Sequence, residues 1–304
     1  MAALLFVLAF VVLGWLKPDW FLRAEFARQR LMAHASVHEV QVGDHRWSYL
    51  ESGEGPLIVL VHGFTGSKEN WLPLMAKLHG HRLIAPDLPG WGESERKPGA
   101  DYGPVAQAER LHTFLASFGS KPALVVGHSM GGQIVGLLAV RHPEDLGPVV
   151  LMSSAGVAFK QNEFGRDVLA GKNPFQATTR ADVHRYLGIV FTDPPFVPWP
   201  VDAALAQRRA RDAAFEQSVL DRIGRGPEAL QLQNELGAIK SPVMLLWCRD
   251  DRVIDVSAAK VFAQGLHSSQ TVILEGCGHM PLMAAPQAVA DALPIAELAL
   301  PLPP

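Results

Sequence analysis

The sequence predicts an α/β fold with a mostly parallel, eight-stranded sheet flanked by helices. Short runs of β-branched and other apolar residues alternate with longer stretches of helical periodicity, the pattern of successive strand-helix-strand units. Several runs, such as LIVLV at 57–61 and VMLLW at 243–247, are apolar without interruption. Strands read this way when helices cover both faces of a sheet. The chain is also long enough: 304 residues, 48% hydrophobic and 19% charged, bury a full core and exclude a disordered polymer. With 27 Lys+Arg against 30 Asp+Glu the net charge is −3, which excludes an electrostatic nucleic-acid binder. Two cysteines exclude a disulfide scaffold.

The first element stands apart from the sheet. Ala2–Leu16 (AALLFVLAFVVLGWL) is an unbroken apolar run that raises the mean hydropathy of the chain to +0.12. As a helix it spans roughly 22 Å, short of the hydrocarbon core of about 30 Å. No Lys or Arg precedes it, and the small-residue pattern Ala33-His34-Ala35 lies too far beyond it for signal cleavage. Lys17, Arg23, Arg28 and Arg30 follow it, which places the chain after it on the cytoplasmic side by the positive-inside rule. Trp15, Trp20 and Phe21 suit the headgroup layer, and WFLRAEFARQRLM at 20–32 alternates basic and apolar residues as interfacial helices do. Residues 1–32 are therefore expected to be a membrane anchor, a transmembrane or shorter helix, with an interfacial helix; a cleaved signal and a buried helix are the alternatives.

The sheet follows. Expected strands are His38–Val42, Trp47–Glu51, Leu57–Val61, Arg82–Ala85, Ala123–Val126, Pro148–Met152, Val243–Trp247 and Thr271–Leu274. Helical patterns fall near Trp71–Leu78, Val105–Phe118, Gly131–Arg141, Ala258–Gly265 and Pro286–Leu298. The alternation breaks between 159 and 238, where helical pieces (Arg180–Leu187, Ala203–Gly224) flank the Pro-rich TDPPFVPWP at 192–200. One α/β core in two parts, 38–158 and 239–300, thus carries a helical insertion expected to act as a lid.

Four strand ends carry chemistry. At 123–132 the sequence ALVVGHSMGG runs an apolar strand through G-x-S-x-G into a helix. Glycines on both sides let the turn tighten so that Ser129 stands at the sheet edge and the Met130 amide points at a developing oxyanion. At 57–66, LIVLVHGFTG ends a second strand in a loop whose Phe64 amide completes an oxyanion hole; His62 is expected to hold that loop. Phe64 and Trp71 are candidates for the pocket wall. A serine needs a base and the base an orienting carboxylate. VMLLWCRDDRVIDV at 243–256 presents Asp250, Asp251 and Asp255 after one strand, and TVILEGCGHMP at 271–281 presents His279 after another. His279 is the expected base and Asp251 the acid, with Asp250 the alternative. No metal-ligand spacing and no dinucleotide fingerprint is found, so no cofactor or metal is expected.

With HGF at 62–64, PDLPGWGES at 86–94, GHSMGG at 127–132 and the late Asp/His pair, residues 38–300 resemble an α/β-hydrolase. The resemblance implies Asp251 as the acid, four residues after Trp247 as in the family's W-G-x-x-D pattern; Cys248 stands where that pattern has glycine. It also implies an architectural role for Asp87. MGGQ at 130–133, SSAGV at 153–157 and DDRVIDVSAA at 250–259, with the anchor, are most similar to membrane-anchored monoacylglycerol lipase-like members. This narrower resemblance implies a serine esterase or lipase acting on lipids with a single acyl chain. A carbon–carbon bond hydrolase of ring-cleavage products, using the same triad, and a non-catalytic binding protein are the alternatives. Cys248 and Cys277 lie on expected neighbouring strands beside the Asp/His pair; a disulfide fits that placement, but a cytoplasmic face keeps thiols reduced, so free thiols are expected.

Overall fold

In the computed structural model, residues 2–295 are described. Eight strands form one sheet in the order β1-β2-β4-β3-β5-β6-β7-β8. They are β1 (Ser36–Val42), β2 (His45–Ser52), β3 (Leu57–Val61), β4 (Arg82–Pro86), β5 (Leu124–His128), β6 (Val149–Met152), β7 (Val243–Cys248) and β8 (Ser269–Leu274). β1 pairs antiparallel with β2 and β2 with β4; every other pairing is parallel. All eight expected strands are present, with ends shifted by two residues or fewer. The uninterrupted apolar runs of β3, β6 and β7 are buried along their whole length.

The helices begin with α1 (Ala2–Leu16) and α2 (Pro18–Met32). Within the core come α3 (Leu72–Met75), α4 (Pro104–Ala116) and α5 (Met130–Arg141). α3 is shorter than its periodicity predicted: a 3-10 turn over Lys68–Trp71 precedes it, and Lys77 and Leu78 bond back three residues rather than four. Between β6 and β7 lie α6 (Glu163–Leu169), α7 (Arg180–Val190), the 25-residue α8 (Val201–Arg225) and α9 (Gln231–Glu235). α10 (Ser257–Gly265), α11 (Pro281–Ala284) and α12 (Pro286–Ala292) complete the chain. The expected continuation of α12 to Leu298 lies partly outside the described residues.

α2 is not a free interfacial helix. Leu22 is buried, and Asp19 bonds Arg208 of α8 at 2.6 Å as well as Arg23. α1 leans on the Pro-rich segment: Gly14 lies so close to Trp199 that a Cβ would fall 2.5 Å from its ring, and Phe10 packs edge-on to the same indole. Among the described side chains of α1, Leu8, Trp15 and Leu16 are well exposed. Among the described residues no helix is long and apolar enough to cross a membrane.

Asp87 is fully buried and organises the loop after β4. Its carboxylate accepts from the Lys68 and Glu93 amides and from Lys68 Nζ at 2.7 Å, while Lys68 also reaches Glu93 at 2.8 Å. Burial pushes the Lys68 pKa down, but the Asp87 and Glu69 charges outweigh it and the net shift is upward. This fixes the loop that carries Trp91.

Candidate active site

The parallel strands β3, β5, β7 and β8 all deliver their following loops to one sheet edge, and there the expected residues meet. Ser129 sits between β5 and α5 with φ +55° and ψ −119°, a conformation that side-chain-bearing residues rarely adopt. The flanking glycines make it attainable. A Cβ on Gly127 would fall 2.3 Å from the Gly131 carbonyl oxygen, and one on Gly131 would fall 2.4 Å from the carbonyls of Val61 and His62. The elbow is thus wedged against the end of β3, and that contact sets the distance between Ser129 and the Phe64 loop.

Ser129 Oγ lies 3.0 Å from His279 Nε2, and His279 Nδ1 lies 2.9 and 3.1 Å from the Asp251 oxygens. All three side chains are buried. Asp251 Oδ1 also accepts from the Val253 and Ile254 amides at 2.9 and 3.0 Å, which holds the carboxylate by its own loop. Trp247 closes that loop, its indole N–H donating to the Ile254 carbonyl; this gives the Trp-to-Asp spacing a physical reason. Asp250, the alternative acid, is exposed and makes no hydrogen bond to His279 among the described residues.

The Phe64 and Met130 amides have no hydrogen-bond acceptor among the described residues. An unpaired buried amide is costly, and such groups persist where a substrate atom fills the role. His62 does hold the Phe64 loop: its Nδ1 donates to the Gly63 carbonyl at 2.8 Å and its Nε2 accepts from the Leu88 amide at 3.0 Å. Burial pushes its pKa down to about 4, so the neutral ring suits both bonds. His128 donates Nε2–H to the His279 carbonyl at 2.7 Å, and burial pushes its pKa down to about 3.

Trp71 is not in the wall of the large cavity beside the site. It is fully buried in the core, at the end of the 3-10 turn that precedes α3. Trp91 stands where Trp71 was expected, edge-on to Phe64 at 5.4 Å and to Phe215 of α8 at 4.9 Å. Trp91 forms part of the wall of a cavity of about 1120 Å³, together with Phe21, Tyr186, Leu187, Phe196 and Met280. The cavity reaches Thr65 and Met280, the chain neighbours of Phe64 and His279, whereas Ser129 is not in its wall. The free thiols expected at Cys248 and Cys277 are instead a disulfide, with Cα atoms 5.4 Å apart. The expectation rested on compartment, and β7–β8 pairing overrides it by bringing the two side chains together. Spacing also missed a cluster of Glu109 and His112 on α4 with His142, the residue that caps the C-terminus of α5. Its imidazoles stack in parallel at 3.6 Å, so their in-plane lone pairs do not converge on one point.

Residues 56–286 match the family described as the alpha/beta hydrolase fold. Lipase 1 of Psychrobacter immobilis is 30% identical over 80% of this chain and 78% of its own. Human (Homo sapiens) monoacylglycerol lipase ABHD6 is 28% identical over 93% of this chain and 88% of its own. The solved structure of a membrane phospholipase A, described as a bacterial virulence factor, is similar at a TM-score of 0.87 and 33% identity, covering 95% of this chain and 94% of that one. A meta-cleavage product hydrolase from Pseudomonas fluorescens is similar at a TM-score of 0.69 and 21% identity, covering 86% of this chain and 96% of that one, which shows the shared fold alone.

Proposed function

The chain belongs to the α/β-hydrolase family and is a serine ester hydrolase, and from that premise we propose that it hydrolyses lipids carrying one acyl chain, such as monoacylglycerols, with Ser129, His279 and Asp251 as its triad. The observation that carries the residue assignment is the hydrogen-bonded line from Asp251 through His279 to Ser129, with two acceptor-free amides beside it. His279 takes the Ser129 proton as Oγ attacks the acyl carbonyl. The Phe64 and Met130 amides receive the oxyanion, a contribution of about 3–4 kcal/mol per donor. His279 then protonates the leaving alcohol, and an acyl-serine remains. Water, activated by His279, releases the acid. Asp251 stays ionised and holds the imidazole in its tautomer. No step calls on a metal or cofactor.

The cavity supports a neutral alcohol. Most of its wall arginines are answered by carboxylates: Arg23 and Arg208 by Asp19, Arg28 by Glu25, Arg96 by Asp212 and Arg209 by Glu216, whereas the exposed Arg211 has no carboxylate partner among the described residues. Its aromatic and aliphatic wall suits an acyl chain, and its volume lies just above the usual range of ligand sites. The insertion at 159–238 supplies the largest share of that wall, through α7, the Pro-rich segment and α8, and we read it as a lid that must shift to open the cavity to Ser129. The carbon–carbon hydrolase and the non-catalytic reading are not favoured, since the relatives described above at 28–33% identity are named lipases and a phospholipase. In the decisive assay, Ser129→Ala abolishes fatty-acid release from 1-oleoylglycerol while circular dichroism stays unchanged. Retained turnover refutes the site, and faster turnover of dioleoylphosphatidylcholine or of a ring-fission dienoate by the parent chain refutes the substrate class.

Membrane association through α1 is part of the same proposal. Trp15 is 78% exposed and Phe196, on the segment that packs against α1, is 89% exposed. A helix of this length serves as an anchor seated in the apolar layer rather than as a full span. The buried disulfide favours an oxidising compartment for the catalytic domain, against the cytoplasmic side that the flanking charges predict. Membrane fractionation of a chain lacking residues 2–16 tests the anchor.

A further inference from the structure

We propose that the Cys248–Cys277 disulfide is a positioning element of the active site: it sets the distance between the Asp251 loop and the His279 loop, and so keeps the base aligned. The inference rests on the triad proposed above.

The need for such an element follows from where the sheet stops. The β7–β8 ladder ends at the pair Cys248 and Leu274, with one further bond from the Arg249 amide to the Leu274 carbonyl. Asp251 lies three residues past that point and His279 five. Among the described residues, no amide from Glu275 through Met280 donates to a backbone carbonyl. The His279 loop therefore has no ladder of its own. Gly276 takes φ +71°, a turn that bends the chain away from the strand direction.

Two restraints replace the ladder. His128 holds the His279 carbonyl from the nucleophile side. The disulfide holds the other side: both sulfurs are buried, and the bond joins the residue that ends β7 to the residue two before His279. The bond that it protects is the most demanding in the site, because His279 Nδ1 meets both Asp251 oxygens at 2.9 and 3.1 Å. A misplacement of about 1 Å in such a constellation costs on the order of a hundredfold in rate. Arg249 and Glu275 also cross the two strands at 2.7 Å, but both are exposed and restrain little. Cys248 occupies the position where the family pattern has glycine, so the bridge is a departure of this chain from that pattern.

The test is a cycle of variants on the full chain, assayed with p-nitrophenyl butyrate. Asp251→Asn alone should lower kcat by about 10⁴. If it does not, the triad reading fails and the disulfide question falls with it. C248A/C277A in the parent background should lower kcat ten- to a hundredfold with KM within twofold. It should also broaden or remove the low-field proton resonance of His279 Nδ1–H. In the Asp251→Asn background the same pair should cost less than twofold more, because the contact it serves is already gone. An equal loss of kcat in both backgrounds, or a drop in melting temperature with kcat within twofold of the parent, overturns the proposal in favour of a purely structural bridge. C248V/C277A, which refills the apolar volume, should give the same kcat loss. A chain that folds in neither form also overturns it.

Discussion

At His128, burial pushes the imidazole pKa down to about 3, and at His62 to about 4, against an ordinary value of 6.5. Both rings are neutral in the fold and bind a proton first in the unfolded chain. The unfolded state therefore holds more protons below pH 6.5, and stability is lost as pH falls. At pH 5 each ring costs about 2 kcal/mol. His128→Gln keeps a donor for the His279 carbonyl and removes the titration. Its urea midpoint should fall less than the parent's between pH 7.5 and pH 5, by about 2 kcal/mol in unfolding free energy; equal falls would refute the assignment. Such residues were legible in the sequence to different degrees. Ser129 and His279 stood out because the local turn demands glycines whose positions are visible in the chain. Trp71 and Trp91 were not distinguishable, since which indole faces the cavity depends on Phe215, on a helix far along the chain.

Among the elements, α1 and α2 divide the N-terminal segment into two physical roles. α2 is docked, with Leu22 buried and Asp19 paired to Arg208 of α8, and its residues form part of the cavity wall. Removing 1–32 would strip that wall and leave α8 uncovered. Removing only 2–16 takes away the exposed apolar helix and leaves the wall nearly whole. That shorter deletion should move the protein from the membrane fraction to the supernatant while hydrolysis of p-nitrophenyl butyrate stays within about threefold of the parent. Continued sedimentation with membranes would assign binding to another surface, the Phe196 segment first. The apolar run itself was plain from composition, but the docking of α2 was not, because its basic and apolar residues fit a headgroup layer and a protein surface equally well. Trp199 against Gly14 was likewise unreadable from either sequence alone.

For the whole molecule, the sheet order was readable in kind, since continuous apolar strands separated by helices leave few topologies. The compartment was not readable, because flanking charge and a buried disulfide point to opposite sides of a membrane and only the paired strands reveal the latter. A C-terminal alkaline phosphatase fusion, active only where disulfides form, should be active; activity of a fluorescent-protein fusion alone would restore the cytoplasmic side. The strand order also bears on how the enzyme comes into being. Ser129 and His279 are 150 residues apart, and the strand that presents His279 is the outermost and last to be made. A growing chain that has completed the nucleophile elbow still has no base. Contacts so distant in sequence form late, so hydrolytic activity should switch on in a single step when β8 docks, and every product of synthesis or truncation that ends before His279 is born silent toward the lipids around it.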